Sequence, residues 1–97
     1  MKTTAECLDL LRGYYETVAS KHGVKRMALF GSVARGEQQD GSDVDVAYEG
    51  EPNLFLRVRM KMDLEKLFGC SVVIVRLRSQ FAGTLFGKEL EKDLIYV

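Results

Sequence analysis

The sequence predicts an α/β (α+β) fold in which a small mixed β-sheet is backed by helices. Segments with helical periodicity alternate with short strand-like runs along the 97 residues. One of these runs, SVVIVRL, consists almost entirely of apolar and β-branched residues. Because a chain of this length forms one hydrophobic core, we expect a single domain over residues 1–97.

The first predicted element is a helix over residues 4–22. Thr3 and Glu6 have the S/T-x-x-E spacing of a capping box, and the pair His22-Gly23 supplies a stop. Apolar side chains recur between them at helical intervals, at Leu8, Leu11, Tyr15 and Val18.

A strand, a turn and a second strand are expected next. Val24 to Phe30 is a short strand that Gly31 ends, and Ser32 to Gly36 can form one helical turn. After the turn-forming stretch EQQDGSD, the residues Asp43 to Tyr48 alternate between acidic and apolar, which predicts a strand that is polar on one face.

The second half of the chain predicts a long helix from an Asn53 N-cap to Phe68, closed by Gly69. Its predicted buried stripe is Leu56, Met60, Leu64 and Leu67. The run Ser71 to Leu77 indicates a central strand covered on both faces. Residues 80–92 are helix-like, and the chain ends in the strand-like LIYV.

Composition excludes several classes of function. With 14 basic and 14 acidic residues the net charge is zero, so the excess of positive charge used by nucleic-acid binders is absent. The two cysteines have neither zinc-site nor disulfide-framework spacing. No apolar run approaches the ~20 residues needed to span a membrane, and the N-terminus lacks a signal-peptide core, so we expect a cytoplasmic protein.

Two carboxylates near the start of the second strand are candidate metal ligands. In a strand, residues i and i+2 point to the same face about 6.6 Å apart, so Asp43 and Asp45 are expected to lie side by side. Like charges repel at this distance unless a cation lies between them. Mg²⁺ takes oxygen ligands of this kind together with phosphate oxygens, which predicts a metal-phosphate site.

The Gly-Ser pair after the first strand fits the same chemistry. Gly31 permits close approach of a ligand to the backbone, and the amides and hydroxyl at Ser32 can donate hydrogen bonds to phosphate. Arg35 adds a cationic donor. These groups can bind the phosphates of a nucleoside triphosphate while the carboxylates bind its metal ion.

Competing motifs fit less well. Gly31 and Gly36 have P-loop spacing, but Glu37 and Gln38 stand where Lys and Ser/Thr are required. An EF-hand loop fails because Val46 follows Asp45 where a further ligand is needed. The alternative is a plain turn followed by solvated acidic residues; the combined pattern G-S-x10-D-x-D, on the predicted element types, favours a functional site.

The stretch GSVARGEQQDGSDVDV resembles the signature of the DNA polymerase beta-type nucleotidyltransferase superfamily, G-S-x-A-R-G followed by S-D-x-D. The short chain is similar to the minimal nucleotidyltransferase (MNT) branch. The resemblance implies a nucleotidyltransferase fold and transfer of a nucleotidyl group, commonly AMP from ATP, to a hydroxyl. It implies that Asp43 and Asp45 bind Mg²⁺ and are catalytic, and that the nucleotide is bound by Gly31, Ser32, Arg35 and Ser42.

The resemblance also implies a partner. Many MNT proteins pair with a helical HEPN-domain protein in toxin-antitoxin systems, where some adenylylate a tyrosine of the toxin.

One departure stands out, because active superfamily members place a third carboxylate on the strand after the long helix. Val73 occupies that position here, and no Asp or Glu occurs between Glu65 and Glu89.

Two hypotheses therefore remain open. The first is an Mg²⁺-dependent nucleotidyltransferase that modifies a hydroxyl on a partner protein, with weak or partner-dependent activity. The second is a catalytically weak or inactive nucleotide-binding antitoxin that neutralises a HEPN partner by binding. The charges of the long helix are also open to two interpretations, a solvated face or a basic patch near the site, formed by Arg57, Arg59, Lys61 and Lys66.

Overall fold

The computed structural model describes residues 2–78 and 85–97. Four helices, a short 3₁₀ turn and four strands follow one another along these residues. In chain order they are α1 (Thr4–Thr17), the 3₁₀ turn (Ala19–His22), β1 (Val24–Phe30), α2 (Gly31–Ala34), β2 (Val44–Gly50), α3 (Leu54–Phe68), β3 (Val72–Arg76), α4 (Leu85–Asp93) and β4 (Ile95–Tyr96).

The four strands form one mixed sheet in the order β3-β2-β1-β4. β1 runs antiparallel to both β2 and β4, whereas β2 and β3 are parallel, with α3 as the crossover between them. The C-terminal end of β1 therefore lies beside the N-terminal ends of β2 and β3. The predicted mixed sheet backed by helices is confirmed.

The hydrophobic core lies between one face of this sheet and the helices α1 and α3. Alternate residues of each strand point into it, as the period of two requires. Tyr14 of α1 also donates a hydrogen bond from its hydroxyl to Asp63 of α3 at 2.8 Å, which ties the two covering helices together. The buried side chains are Cys7, Leu11, Met27, Leu29, Val46, Tyr48, Met60, Leu64, Phe68, Val72 and Ile74.

The predicted helix termini are partly confirmed. Thr3 caps α1 with the full capping box, and Asn53 accepts a hydrogen bond from the N–H of Leu56 at the start of α3. Gly69 ends α3 in the left-handed conformation. The first helix is shorter than predicted, because it ends at Thr17 and the chain continues as a 3₁₀ turn before β1.

One prediction about packing is confirmed in part and another is wrong. Of the predicted stripe of α3, Met60 and Leu64 are buried, Leu56 and Leu67 pack against the core while partly buried, and Phe68 is buried as well. The run that includes β3 is not a central strand, because β3 lies at the edge of the sheet and Val73 keeps 42% of its surface exposed. An apolar β-branched run indicates a strand but carries no information about its neighbours, and the order of strands places this one outermost.

The C-terminal elements agree with expectation where they are described. Of the helix-like stretch over residues 80–92, the part before Leu85 lies outside the described residues, and the rest belongs to α4. The strand-like end pairs with β1, where Ile95 opposes Leu29 and Tyr96 opposes Ala28. Within the described residues, no helix combines the length and the apolar character needed to cross a membrane.

Candidate active site

Gly31 forms the turn between β1 and α2, and its conformation requires glycine. Its φ of +73° lies in the left-handed region that L side chains rarely adopt. A Cβ atom built on it would overlap the Oδ2 atom of Asp45 and lie 3.0 Å from the Asp45 Cγ. The carboxylate of Asp45 therefore rests against the backbone at Gly31, which brings the two halves of the sequence motif together.

The short helix α2 presents backbone donors at the same end of the sheet. Its N-cap residue Phe30 is extended and makes no side-chain capping hydrogen bond. The N–H groups of a helix's first turn have no acceptor within the helix, so those of Gly31 and Ser32 have none within α2. The N–H of Arg35 closes the turn on the carbonyl of Gly31 at 3.2 Å.

The register of β2 places Asp45 between two neighbours. Its Cα partner on β1 is Phe30, and its partner on β3 is Val73. Asp45 is half-buried, whereas Asp43 precedes the strand and is exposed. Burial raises the pKa of Asp45, the nearby charge of Asp43 raises it further, and the positive charge of Arg35 opposes both effects.

These two carboxylates fit a divalent cation. The pKa of Asp45 is raised because its charged form is desolvated and lies close to a second negative charge, and a cation between Asp43 and Asp45 relieves both penalties. The donors are carboxylate oxygens, which suit Mg²⁺. Across residues 2–78 and 85–97, no group of three or more His, Cys, Asp or Glu side chains could hold a metal ion, so the protein offers two carboxylates here.

Arg35 lies near the site but is engaged with two acidic side chains. Its Nε donates to Glu37 at 3.0 Å, and its Nη1 donates to Asp93 at the end of α4 at 2.5 Å. Sequence reasoning missed Asp93 because it stands 58 residues away with no local motif. Only a prediction that α4 returns to this end of the sheet could have found it.

Ser42 has a local role in the structure. Its hydroxyl accepts a hydrogen bond from the N–H of Gln39 at 2.9 Å, and its own N–H donates to the carbonyl of Gln39 at 2.9 Å. The residue thereby closes the loop that delivers Asp43 to the site. Its contact with a nucleotide stays a prediction.

Val73 lies beside Asp45 on the neighbouring strand β3. It is the register partner of Asp45 in the parallel β2–β3 ladder, so the two Cα atoms lie across adjacent strands on the same face. The position is half-exposed and therefore open to a ligand. The site thus combines backbone donors, a glycine turn and two carboxylates with an apolar third corner.

Backbone N–H groups beside a pair of carboxylates can bind a nucleotide and its metal ion, an arrangement suited to the transfer of phosphorus-containing groups. A family model described as the nucleotidyltransferase domain matches residues 11–97, and the chain belongs to this family. The recognised resemblance is thereby confirmed, and the protein is a transferase.

Relatives of this chain carry more specific names than the family does. The chain is 37% identical over 101 residues to a Methanocaldococcus jannaschii protein provisionally named protein adenylyltransferase MJ1379, and the match covers 100% of both. It is 30% identical over 99 residues to protein adenylyltransferase MntA of Thermococcus cleftensis, covering 100% of this chain and 98% of MntA.

Solved structures agree on the fold. One provisionally described as a minimal nucleotidyltransferase is 33% identical, with a TM-score of 0.66 over 91% of this chain and 93% of that one. A Shewanella oneidensis complex of a tri-AMPylated HEPN toxin with an MNT antitoxin contains a chain that matches at 20% identity and a TM-score of 0.56, covering 96% of this chain and 66% of that one. The predicted nucleotidyltransferase fold is confirmed.

Proposed function

We propose that this protein is an Mg²⁺-dependent adenylyltransferase that transfers AMP from ATP to a hydroxyl on a HEPN-domain partner, as an MNT antitoxin. The observation that carries the proposal is the packing of the Asp45 carboxylate against Gly31. This contact supports the proposal because it brings a carboxylate that could bind a metal ion directly beside backbone donors that could bind the triphosphate.

Five residues of the candidate site, Gly31, Ser32, Arg35, Asp43 and Asp45, each have a defined task in this proposal. The amides at Gly31 and Ser32, with the Ser32 hydroxyl, donate to phosphate oxygens and orient the triphosphate. Asp43 and Asp45 would hold Mg²⁺, which when bound neutralises phosphate charge and favours departure of pyrophosphate. The charge of Arg35, steadied by Glu37 and Asp93, adds positive potential near the phosphates.

The names of the relatives support the nucleotide and the acceptor. Two of them are called protein adenylyltransferases, one with a provisional name, and a toxin-antitoxin structure that shares the fold contains AMP-PNP. Another contains an AMPylated HEPN toxin. By extension, the acceptor here is a hydroxyl of a helical toxin. Its oxygen bonds to the α-phosphorus of ATP, the bond from that phosphorus to pyrophosphate breaks with its electron pair leaving on pyrophosphate, and the hydroxyl proton passes to solvent.

A second candidate function rests on Val73. With a valine beside Asp45, the site lacks an acidic group at the position where the attacking hydroxyl would lose its proton. General-base catalysis contributes roughly 10²- to 10⁴-fold. The alternative is therefore an antitoxin that binds a metal-nucleotide but neutralises its HEPN partner by binding alone.

The test is transfer of label from α-labelled ATP to a HEPN-domain protein with Mg²⁺, with and without EDTA. We expect labelled toxin from the wild type and none from Asp45→Asn, while Asp9→Asn, a control on the exposed surface of α1, keeps full activity. Val73→Asp should increase the rate by about 10²-fold if the missing base limits transfer.

Two outcomes contradict the proposal. Transfer that Asp45→Asn leaves intact would place the chemistry elsewhere. Neutralisation of the toxin by wild type and Asp45→Asn alike, with no label transferred by either, would instead favour the binding antitoxin.

A further inference from the structure

Helix α3 is apolar on two separate sides. One side carries the buried stripe of Met60, Leu64 and Phe68 that packs on the sheet. The other side presents an exposed stripe in which Phe55 is 88% and Leu54 71% exposed, continued by Val58 and Met62. These four residues fall within about a third of the helix circumference and form one strip along its outer surface.

The strip continues across a groove to the edge of the sheet. Leu54 and Val58 line a groove of about 330 Å³ with Val72, Val73 and Ile74 of β3, and the side chains of Arg57 and Lys61 also line it. Val73 in turn is the register partner of Asp45. We define the outer apolar surface as Leu54, Phe55, Val58, Met62 and Val73; it starts on the outside of α3 and ends beside the candidate active site.

The edge of β3 is closed to an added strand. Ser71 and Leu77 direct their backbone groups to β2, so the alternate residues Val72 and Ile74 direct theirs outward. Side chains of α3 form hydrogen bonds with these outward-facing backbone groups. Lys61 donates to the Val72 carbonyl at 2.7 Å, Arg57 donates to the Ile74 carbonyl at 3.0 Å, and Glu65 accepts from the Val72 N–H at 3.2 Å.

This arrangement favours side-chain packing over strand pairing. A strand added to β3 would have to displace three hydrogen bonds, whereas a helix can lie along α3 and leave them intact. Large apolar side chains that adjoin one another on the surface of a small domain are typical of interaction sites.

The charges that border the strip of α3 determine which kind of partner helix suits it. Basic residues border the strip on both sides, with Arg57 and Lys61 towards β3 and Arg59 and Lys66 on the opposite side. The helix carries four basic and two acidic side chains. Lys61 is paired with Glu65 at 3.0 Å and Arg59 with Asp63 at 3.6 Å, which leaves an excess of two positive charges on α3, although the whole chain is neutral. A second copy of this chain would bring basic borders against basic borders, whereas acidic borders would complement them.

We propose that the outer apolar surface docks a helix of a partner protein whose apolar stripe is bordered by acidic side chains. Because the surface ends at Val73, a docked partner lies next to Asp45. Its use in presenting the acceptor hydroxyl rests on the proposed function, whereas the docking itself does not.

The test uses two synthetic helical peptides of about 20 residues with the same leucine stripe, one bordered by Glu and the other by Lys. Fluorescence anisotropy should show the Glu-bordered peptide binding about tenfold more tightly or better. NMR shift changes should map to Leu54, Phe55, Val58, Met62 and Val73. Phe55→Glu should weaken binding about tenfold, and Ala5→Glu, the same change at an exposed position of α1, should not alter it.

Equal binding of the two peptides, shifts that map elsewhere, or unchanged binding by Phe55→Glu would overturn the proposal. So would light scattering that shows a dimer which Phe55→Glu dissociates, because the surface would then pair two copies. Failure of AMP transfer with peptide binding intact would refute the proposed function and leave the docking proposal unaffected.

Discussion

Replacing Gly31 with alanine tests the contact on which the active site depends. The substitution adds one methyl group at a residue whose φ is +73° and whose Cβ position is occupied by the Asp45 carboxylate. Two costs follow. The backbone is held in a conformation unfavourable for alanine, and Asp45 must leave its place beside α2.

The structure supplies a control that separates these two costs. Gly69 has the same φ of +73°, but no atom lies within 4 Å of its Cβ position. Alanine in the left-handed region costs about 1–2 kcal/mol at either position. Overpacking adds about 1–3 kcal/mol at Gly31 alone. We therefore expect Gly31→Ala to lower the free energy of unfolding by about 2–5 kcal/mol, and Gly69→Ala by about 1–2 kcal/mol.

Urea unfolding of the metal-free protein measures both losses, and titration with Mg²⁺ and a nonhydrolysable ATP analogue measures binding. Gly31→Ala should also weaken nucleotide binding about tenfold or more, because a displacement of about 1 Å spoils alignment. Gly69→Ala should bind normally. Equal losses of stability in the two variants, or unchanged binding by Gly31→Ala, would refute the inferred contact between Gly31 and Asp45.

Two further substitutions test the electrostatics and the core. The raised pKa of Asp45 means that the folded protein binds more protons than the unfolded chain just above the ordinary aspartate pKa, so stability falls as pH rises through this window. Metal-free Asp45→Asn should be more stable than the wild type at pH 7, with the difference shrinking in acid; a less stable variant at pH 7 would contradict the charge argument. Tyr14→Phe removes the hydrogen bond to Asp63 and should cost about 1–2 kcal/mol by urea unfolding, because Asp63, in a partly buried site, then keeps only its longer contact with Arg59 at 3.6 Å. The same change at the exposed hydrogen bond of Tyr15 should cost less, and equal losses would show that burial of the Tyr14 pair is unimportant.

Local features of the fold could be predicted where the cause is local. Thr3 and Asn53 accept hydrogen bonds from amides three residues ahead, and Gly69 takes a conformation that glycine favours, so neighbouring residues suffice to place these helix ends. The end of α1 was placed too late because Val18 keeps the helical spacing, although the chain has already turned into a 3₁₀ turn. Periodicity persists through such a change of helix type.

Part of the candidate site could likewise be predicted from the sequence, and part could not. Gly31 and Asp45 could be paired from a motif, but their contact depends on the register in which Asp45 opposes Phe30. The engagement of Arg35 by Asp93 depends on α4 returning to this end of the sheet. Neither the register nor this return has a signal in any short stretch of sequence.

The sequence by itself determined the class of fold, the ends of most elements and the identity of the carboxylate pair, because capping, periodicity and glycine conformations act between neighbouring residues. Tertiary structure alone decided that β3 is an edge strand, that Val73 is exposed beside Asp45, and that one apolar side of α3 is buried while Leu54, Phe55, Val58 and Met62 on another side are exposed. The physical reason is that burial depends on which elements become neighbours in space. An apolar residue such as Val73 or Phe55 reads the same in sequence whether it packs in the core or faces a partner.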